Sequence, residues 1–231
     1  MTLRLEVLPT PRWAEGVADE LTDRVRANPR LRMCLASGHT PTPVYQALVS
    51  GGASLADSEV LLLDEFIGLP IGHPGRCESM LRRQLIDHVE VGRFHRIDVV
   101  APDLDAECVR IDAIARDGID LAVLGLGFNG HLGMNEPGSE PHDSTRVVEL
   151  AQETRDGSAR YGIDSPLDHG VTVGMAPLLA ASEVWLLVTG DRKRGILQRV
   201  LEGPVGPECP ASYLREHRNA VVWADNAAAG T

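Results

Sequence analysis

The chain has 231 residues, of which 43% are hydrophobic and 24% charged, and a formal net charge of −11. That length suits one compact unit with its own core, so residues 1–231 are expected to form a single domain. The acidic balance argues against a nucleic-acid or anionic-membrane partner, and no run of about 18 apolar residues offers a membrane span.

In chain order, the hydrophobic pattern predicts a helix over 12–27, a strand over 32–36, a helix over 43–49 and a strand over 60–63. A helix over 78–88, a strand over 96–100, a helix over 106–116 and a strand over 121–124 follow. The last third reads as a helix over 175–179, a strand over 184–188, helices over 192–202 and 211–216, and a strand over 220–223. Most of the strands are near-continuous apolar runs, as strands covered on both sides should be. The alternation predicts an α/β fold: a Rossmann-like open, largely parallel sheet with helices on both faces. Gly/Pro-rich stretches at 37–43, 68–75 and 125–141 each follow a strand, which is the edge where such sheets bind ligands.

The four cysteines, Cys34, Cys77, Cys108 and Cys209, are scattered without C-x-x-C spacing. Reduced structural thiols are therefore expected, with no metal site and no disulfide framework. The N-terminus carries no signal-peptide pattern, which points to a cytoplasmic location. Lys193 is the only lysine among 22 basic residues, which singles it out either for chemistry or by chance.

Four segments carry candidate chemistry. Ser37, Gly38, His39 and Thr40 lie between a strand and a helix start, where hydroxyls and free amides can cradle a phosphate or simply make a capped turn. Asp64 and Glu65 follow an apolar strand, and Asp64 is the candidate base with Glu65 in support. The segment GLGFNGHLGMNEPG at 125–138 matches G-x-G-x-x-G, but the prolines and glycines after it do not make a dinucleotide-binding helix. Instead, Asn129, Gly130, His131 and Glu136 crowd amide and ionisable groups into one turn, and a histidine with an acid five residues on is an acid/base candidate. Arg146, Arg155 and Arg160 lie in a polar stretch, and Lys193 opens a helix after a strand, well placed for a phosphate.

Together, in this order, these motifs resemble the glucosamine-6-phosphate deaminase/isomerase family, within the wider group that includes 6-phosphogluconolactonases. Gly38-His-Thr-Pro41 is similar to the family's phosphate turn, and Asp64-Glu-Phe-Ile-Gly-Leu-Pro70 to its acidic motif. Residues 130–138 are similar to its Gly-His-x-x-x-Asn-Glu-Pro-Gly, and Thr172-Val-Gly174 and Gly190-Asp-Arg-Lys193 to its remaining elements. The likeness runs over about 32–224.

The resemblance implies isomerisation of an amino-sugar 6-phosphate with loss of ammonia, without cofactor or metal. It gives His131 the ring opening, with Glu136 holding it, and Asp64 the proton transfer from C2 to C1. Gly38, Thr40, Arg160 and Lys193 would hold the phosphate. In the glucosamine enzymes the residue two before the histidine is aspartate; Asn129 resembles the galactosamine 6-phosphate members and shifts the expected substrate towards the galacto series. The chain ends soon after Ala224, without the C-terminal extension of allosteric hexameric members, so allosteric activation by an acetylamino sugar phosphate is not expected; a monomer or small homo-oligomer is the expected assembly. Two alternatives are a 6-phosphogluconolactonase-type hydrolase, which usually lacks Asn-Glu-Pro, and a non-catalytic sugar-phosphate-binding module. In the family, the stretch corresponding to 152–169 is a mobile lid.

Overall fold

The computed structural model describes residues 3–165 and 167–231. Its centre is a seven-stranded parallel sheet made of β1 (Arg4–Leu8), β2 (Arg32–Leu35), β3 (Leu55–Leu62), β5 (Val91–His95), β6 (Leu121–Gly125), β9 (Glu183–Val188) and β10 (Ala220–Asp225), in the order β1-β10-β9-β6-β2-β3-β5. The inner strands are almost wholly buried: Met33, Leu35, Ala122, Val123, Val184 and Leu186 are each no more than 2% exposed. Both faces of these strands are therefore covered, which is why they read as apolar runs. The helices α1 (Trp13–Ala27), α2 (Thr42–Ser50), α3 (Cys77–Leu81), α4 (Leu104–Arg116), α6 (Met175–Leu179) and α7 (Arg194–Glu202) cover it. Each buries an apolar stripe, such as Val17, Leu21 and Val25 of α1, and Asp103 caps α4 by accepting from the Ala106 amide at 2.9 Å.

Strand order reverses at the middle of this sheet. From β2 the chain steps outward through β3 to β5, then returns with β6 to the other side of β2, with Met33–Leu35 in register with Leu121–Val123. The crevice between the C-terminal ends of β2 and β6 is thus a topological switch point, where open α/β sheets place their ligands.

A second, three-stranded antiparallel sheet lies beyond that edge. It comprises β4 (Asp64–Phe66), β7 (Arg146–Glu149) and β8 (His169–Thr172), in the order β4-β8-β7, with Asp64 opposite Thr172. Since only Leu63 separates the end of β3 from the start of β4, Asp64 is pinned between the two sheets.

The predicted strand at 96–100 is corrected. The edge strand is β5 at Val91–His95, and 96–100 is irregular chain that drops Ile97 and Val99 into the core. Its apolar residues reflect burial under a loop, whereas the true edge strand is half polar because one side faces solvent. Helix 78–88 is present as α3 running into a π-helical turn at Arg82–Ile86, and 211–216 is a 3₁₀ segment at Pro210–Arg215. β1, the antiparallel sheet, α5 (Gln152–Ser158) and α8 (Asn226–Ala229) were not predicted. Among the described residues no helix is long and apolar enough to cross a membrane, and no group of three or more His, Cys, Asp or Glu is arranged to hold a metal.

Candidate active site

A cleft of ≈ 240 Å³ opens at the switch point, lined by the turns after β2, β3 and β6, by residues of α5 and the turn after it, and by Lys193. Its lining combines acid–base groups with cations.

His131 is one of the acid–base groups. Gly127 lets the chain fold back so that the imidazole sits over it: a Cβ at Gly127 would overlap the ring atoms of His131. Gly130, at φ +92°, makes the turn that a side chain would oppose. The ring is fixed by Glu136, whose Oε2 lies 3.1 Å from His131 Nδ1, while Asn129 Nδ2 donates to the same oxygen at 2.9 Å. Asn129 Oδ1 in turn accepts from the His131 amide at 3.1 Å. With Nδ1–H committed to the carboxylate, Nε2 is left to meet a ligand. Burial alone would raise the Glu136 pKa, but hydrogen bonds from His131, Thr154 and Asn129 hold it below the ordinary carboxylate value. It is a buried anion matched to an imidazole.

Asp64 faces the same cleft from the end of β3. Burial pushes its pKa up to about 6; a hydrogen bond from Cys77 and the nearby His131 oppose the shift, and Glu65 and Glu136 add to it. Such a carboxylate is ionised at neutral pH yet basic enough to accept a proton from carbon. Its neighbour Glu65 points the other way, into the protein. Glu65 accepts from the amides of Phe66 and Cys77 at 2.9 Å and Glu78 at 3.0 Å, and from Arg76 Nε at 3.2 Å. Its support is mechanical: it ties β4 to the start of α3.

The cations of the lining are Arg160 and Lys193. Lys193 Nζ donates to the Leu126 carbonyl and stands 3.5 Å from the ring centre of Phe128. Burial lowers its pKa to about 8, helped by Arg160 and Arg192. Arg160 also reaches the Phe128 ring, at 5.2 Å. Ser37, His39 and Thr40 line the cleft from the turn after β2. Gly38, at φ +99°, shapes that turn, and its carbonyl accepts from Thr42 Oγ1 at 2.6 Å and Gln84 Nε2 at 3.1 Å. The His39 ring stacks on Tyr161 at 4.9 Å with planes 13° apart, joining the turn to the segment that carries Arg160.

The structure thus brings Asp64, His131, Ser37, His39, Thr40, Arg160 and Lys193 to one cleft, with Glu136 and Asn129 in the layer behind His131 and Gly38 and Gly130 shaping the turns. Two arginines of the polar stretch lie elsewhere. Arg146 holds Asn135 Oδ1 and Ser139 Oγ, each at 2.9 Å, and Arg155 lies 3.7 Å from Glu149 and Asp168. Asn135 is structural as well, donating to the Leu132 and Val173 carbonyls at 3.0 and 2.9 Å. Phe128, Tyr161, Thr154 and Cys77 line the cleft and were not singled out from the sequence. An aromatic placed inside the glycine-rich turn was the one available signal for Phe128.

A parallel sheet with its cleft at the switch point defines the class, and the chain belongs to the family described as glucosamine-6-phosphate isomerases/6-phosphogluconolactonase, which matches residues 10–223. Within it, the chain is 36% identical to the glucosamine-6-phosphate deaminase of Streptomyces coelicolor over 97% of its own length and 92% of the relative's. It is 37% identical to that of Pseudarthrobacter chlorophenolicus, over 92% and 85% of the two chains. A solved structure of a monomeric glucosamine-6-phosphate deaminase superposes with a TM-score of 0.92 at 29% identity, covering 100% of this chain and 99% of that one. The 6-phosphogluconolactonase of Trypanosoma brucei shares the fold, with a TM-score of 0.79 at 19% identity, covering 99% of this chain and 98% of that one.

Proposed function

We propose that this chain converts an amino-sugar 6-phosphate into a ketose 6-phosphate and ammonium, by aldose–ketose isomerisation coupled to deamination. One observation carries the reading: a raised-pKa carboxylate and a carboxylate-bound imidazole line one cleft together with Arg160 and Lys193. Acid–base groups and cations on one cleft suit a sugar that reacts at C1–C2 and carries a phosphate on C6.

In this reading Ser37, Thr40, Arg160 and Lys193 hold the phosphate, with Gly38 and His39 shaping the turn. His131, held through Nδ1 by Glu136, carries a proton at Nε2 between O1 and the ring oxygen and so opens the ring. Asp64 then takes the C2 proton, leaving an enolamine, and returns it to C1. The resulting C2 imine takes up water and releases ammonia, which leaves as ammonium. The amine acidifies C2–H and departs by imine hydrolysis, so these side chains suffice for each proton transfer.

Asn129 supplies Glu136 with a neutral donor, where an aspartate would add a second charge. The resemblance of Asn129 to the galactosamine 6-phosphate members puts the galacto series beside glucosamine 6-phosphate, the substrate for which the relatives above are named. Phosphorylated sugars do not cross membranes unaided, so the reading carries a cytoplasmic location. The test is ammonium release from galactosamine 6-phosphate and from glucosamine 6-phosphate. Asp64→Asn should lower kcat by about 10²- to 10⁴-fold while sugar-phosphate binding persists. No ammonium from either substrate would overturn the reading.

A further inference from the structure

Three cations meet on one exposed aromatic ring. Phe128 is 38% exposed on the turn after β6. Lys193 Nζ stands 3.5 Å from its centroid, and the guanidinium carbons of Arg160 and Arg192 stand at 5.2 and 5.5 Å. Arg160 arrives from the segment after α5, and Arg192 and Lys193 from the turn before α7. None of the three has a carboxylate within ion-pair distance among the described residues, although the chain carries 33 acids against 22 bases; Arg24, Arg76, Arg110 and Arg146, by contrast, all do.

Like charges repel, and Arg160 and Arg192 are both solvent-exposed side chains free to swing apart. Something must make convergence favourable. The face of an aromatic ring carries the negative lobe of its quadrupole and attracts cations within about 6 Å of the centroid. The ring is not core packing, because it is held at the surface and lines the cleft. It is also next in sequence to Asn129, which holds Glu136 behind His131.

We infer that Phe128 is a platform that gathers Arg160, Lys193 and Arg192 into one anion-binding cluster, and that Arg192 is a third cation for the substrate phosphate. The inference rests on the sugar-phosphate reading of the cleft. It adds a phosphate-binding residue, Arg192, and a positioning residue, Phe128, to that site. Because platform and acid–base turn are one piece of chain, the same glycine-rich loop sets the distance from phosphate to reacting end.

The test separates binding from turnover. Inorganic phosphate is titrated calorimetrically into the wild-type chain and into Phe128→Leu, Phe128→Tyr and Arg192→Gln, and KM and kcat are measured for the amino-sugar phosphates. Phe128→Leu and Arg192→Gln should each weaken phosphate binding by about 3- to 30-fold, the range of a single cation–π contact. Phe128→Tyr, which keeps the ring, should bind like wild type and show that the position tolerates change. The same factor should appear in KM rather than in kcat. Phosphate affinity within twofold of wild type in Phe128→Leu or in Arg192→Gln would overturn the cluster, as would a loss confined to kcat. If the wild-type chain binds phosphate with these dependences but releases no ammonium, the deaminase reading fails and the cluster stands.

Discussion

Asp64 and Lys193 are both displaced towards neutrality, from opposite sides. Burial, above the opposing hydrogen bond from Cys77, holds Asp64 at about 6; burial, with Arg160 and Arg192, brings Lys193 to about 8. In the proposed reaction Asp64 is the base and must be ionised, so kcat/KM should rise as pH passes about 6, where the second ionisation of a phosphate monoester adds to the same limb. In the proposed reaction Lys193 is a phosphate ligand and must be protonated, so kcat/KM should fall above about 8, roughly tenfold per unit. The outcome is a bell with its maximum near pH 7. Lys193→Arg should remove the descending limb, since a guanidinium stays charged throughout. If that variant still loses activity through pH 8, the limb belongs to another group and Lys193 is not the phosphate's titrating partner.

At the scale of the element, the site is built from turns at strand ends, and those turns were the legible part of the sequence. Glycine, histidine, asparagine and glutamate packed into 125–138 after an apolar run have no economical structural explanation, so the segment announced itself. The short antiparallel strands did not. Arg146–Glu149 alternates half-buried and exposed residues over only four positions, too brief for a period to register. The edge strand at Val91–His95 was hidden because the more apolar 96–100 lay beside it, buried without being paired. Phe128 and Tyr161 were illegible for a different reason: their roles arise from contacts with Arg160 and with His39, and the 122 residues from His39 to Tyr161 leave no local trace. The turn itself makes a sharp prediction. Gly127→Ala would place a Cβ inside the His131 imidazole. The ring must swing off Glu136, so kcat should fall by about 10²-fold, within the range of a lost acid–base group, while inorganic phosphate still binds at Arg160 and Lys193. Unchanged kcat would show that the imidazole position is not what turnover depends on.

For the molecule as a whole, the question is what keeps the two sheets in register, since Asp64 sits at their junction. Glu65 and Arg76 form an ion pair with side-chain exposures of 0% and 2%. Glu65 reaches from β4 to the first amides of α3, and Arg76 immediately precedes that helix. Burial raises the Glu65 pKa, and the amides and Arg76 oppose the rise. Arg76 also carries a buried Nη2 without a hydrogen-bond partner, so the pair is not an ideal one. A buried pair need not exceed an apolar substitute in stability, but removing one partner leaves the other's charge uncompensated, at about 3–5 kcal/mol. Arg76→Met should therefore lower Tm by about 6–20 °C, given about 2–4 °C per kcal/mol for a domain of this size. The double variant Glu65→Gln, Arg76→Met removes the stranded charge and should recover a substantial part of that loss. A single variant melting within about 2 °C of wild type would mean that the three amides alone satisfy Glu65, and that the register of β4, with the position of Asp64, is set by the β4–β8 pairing instead.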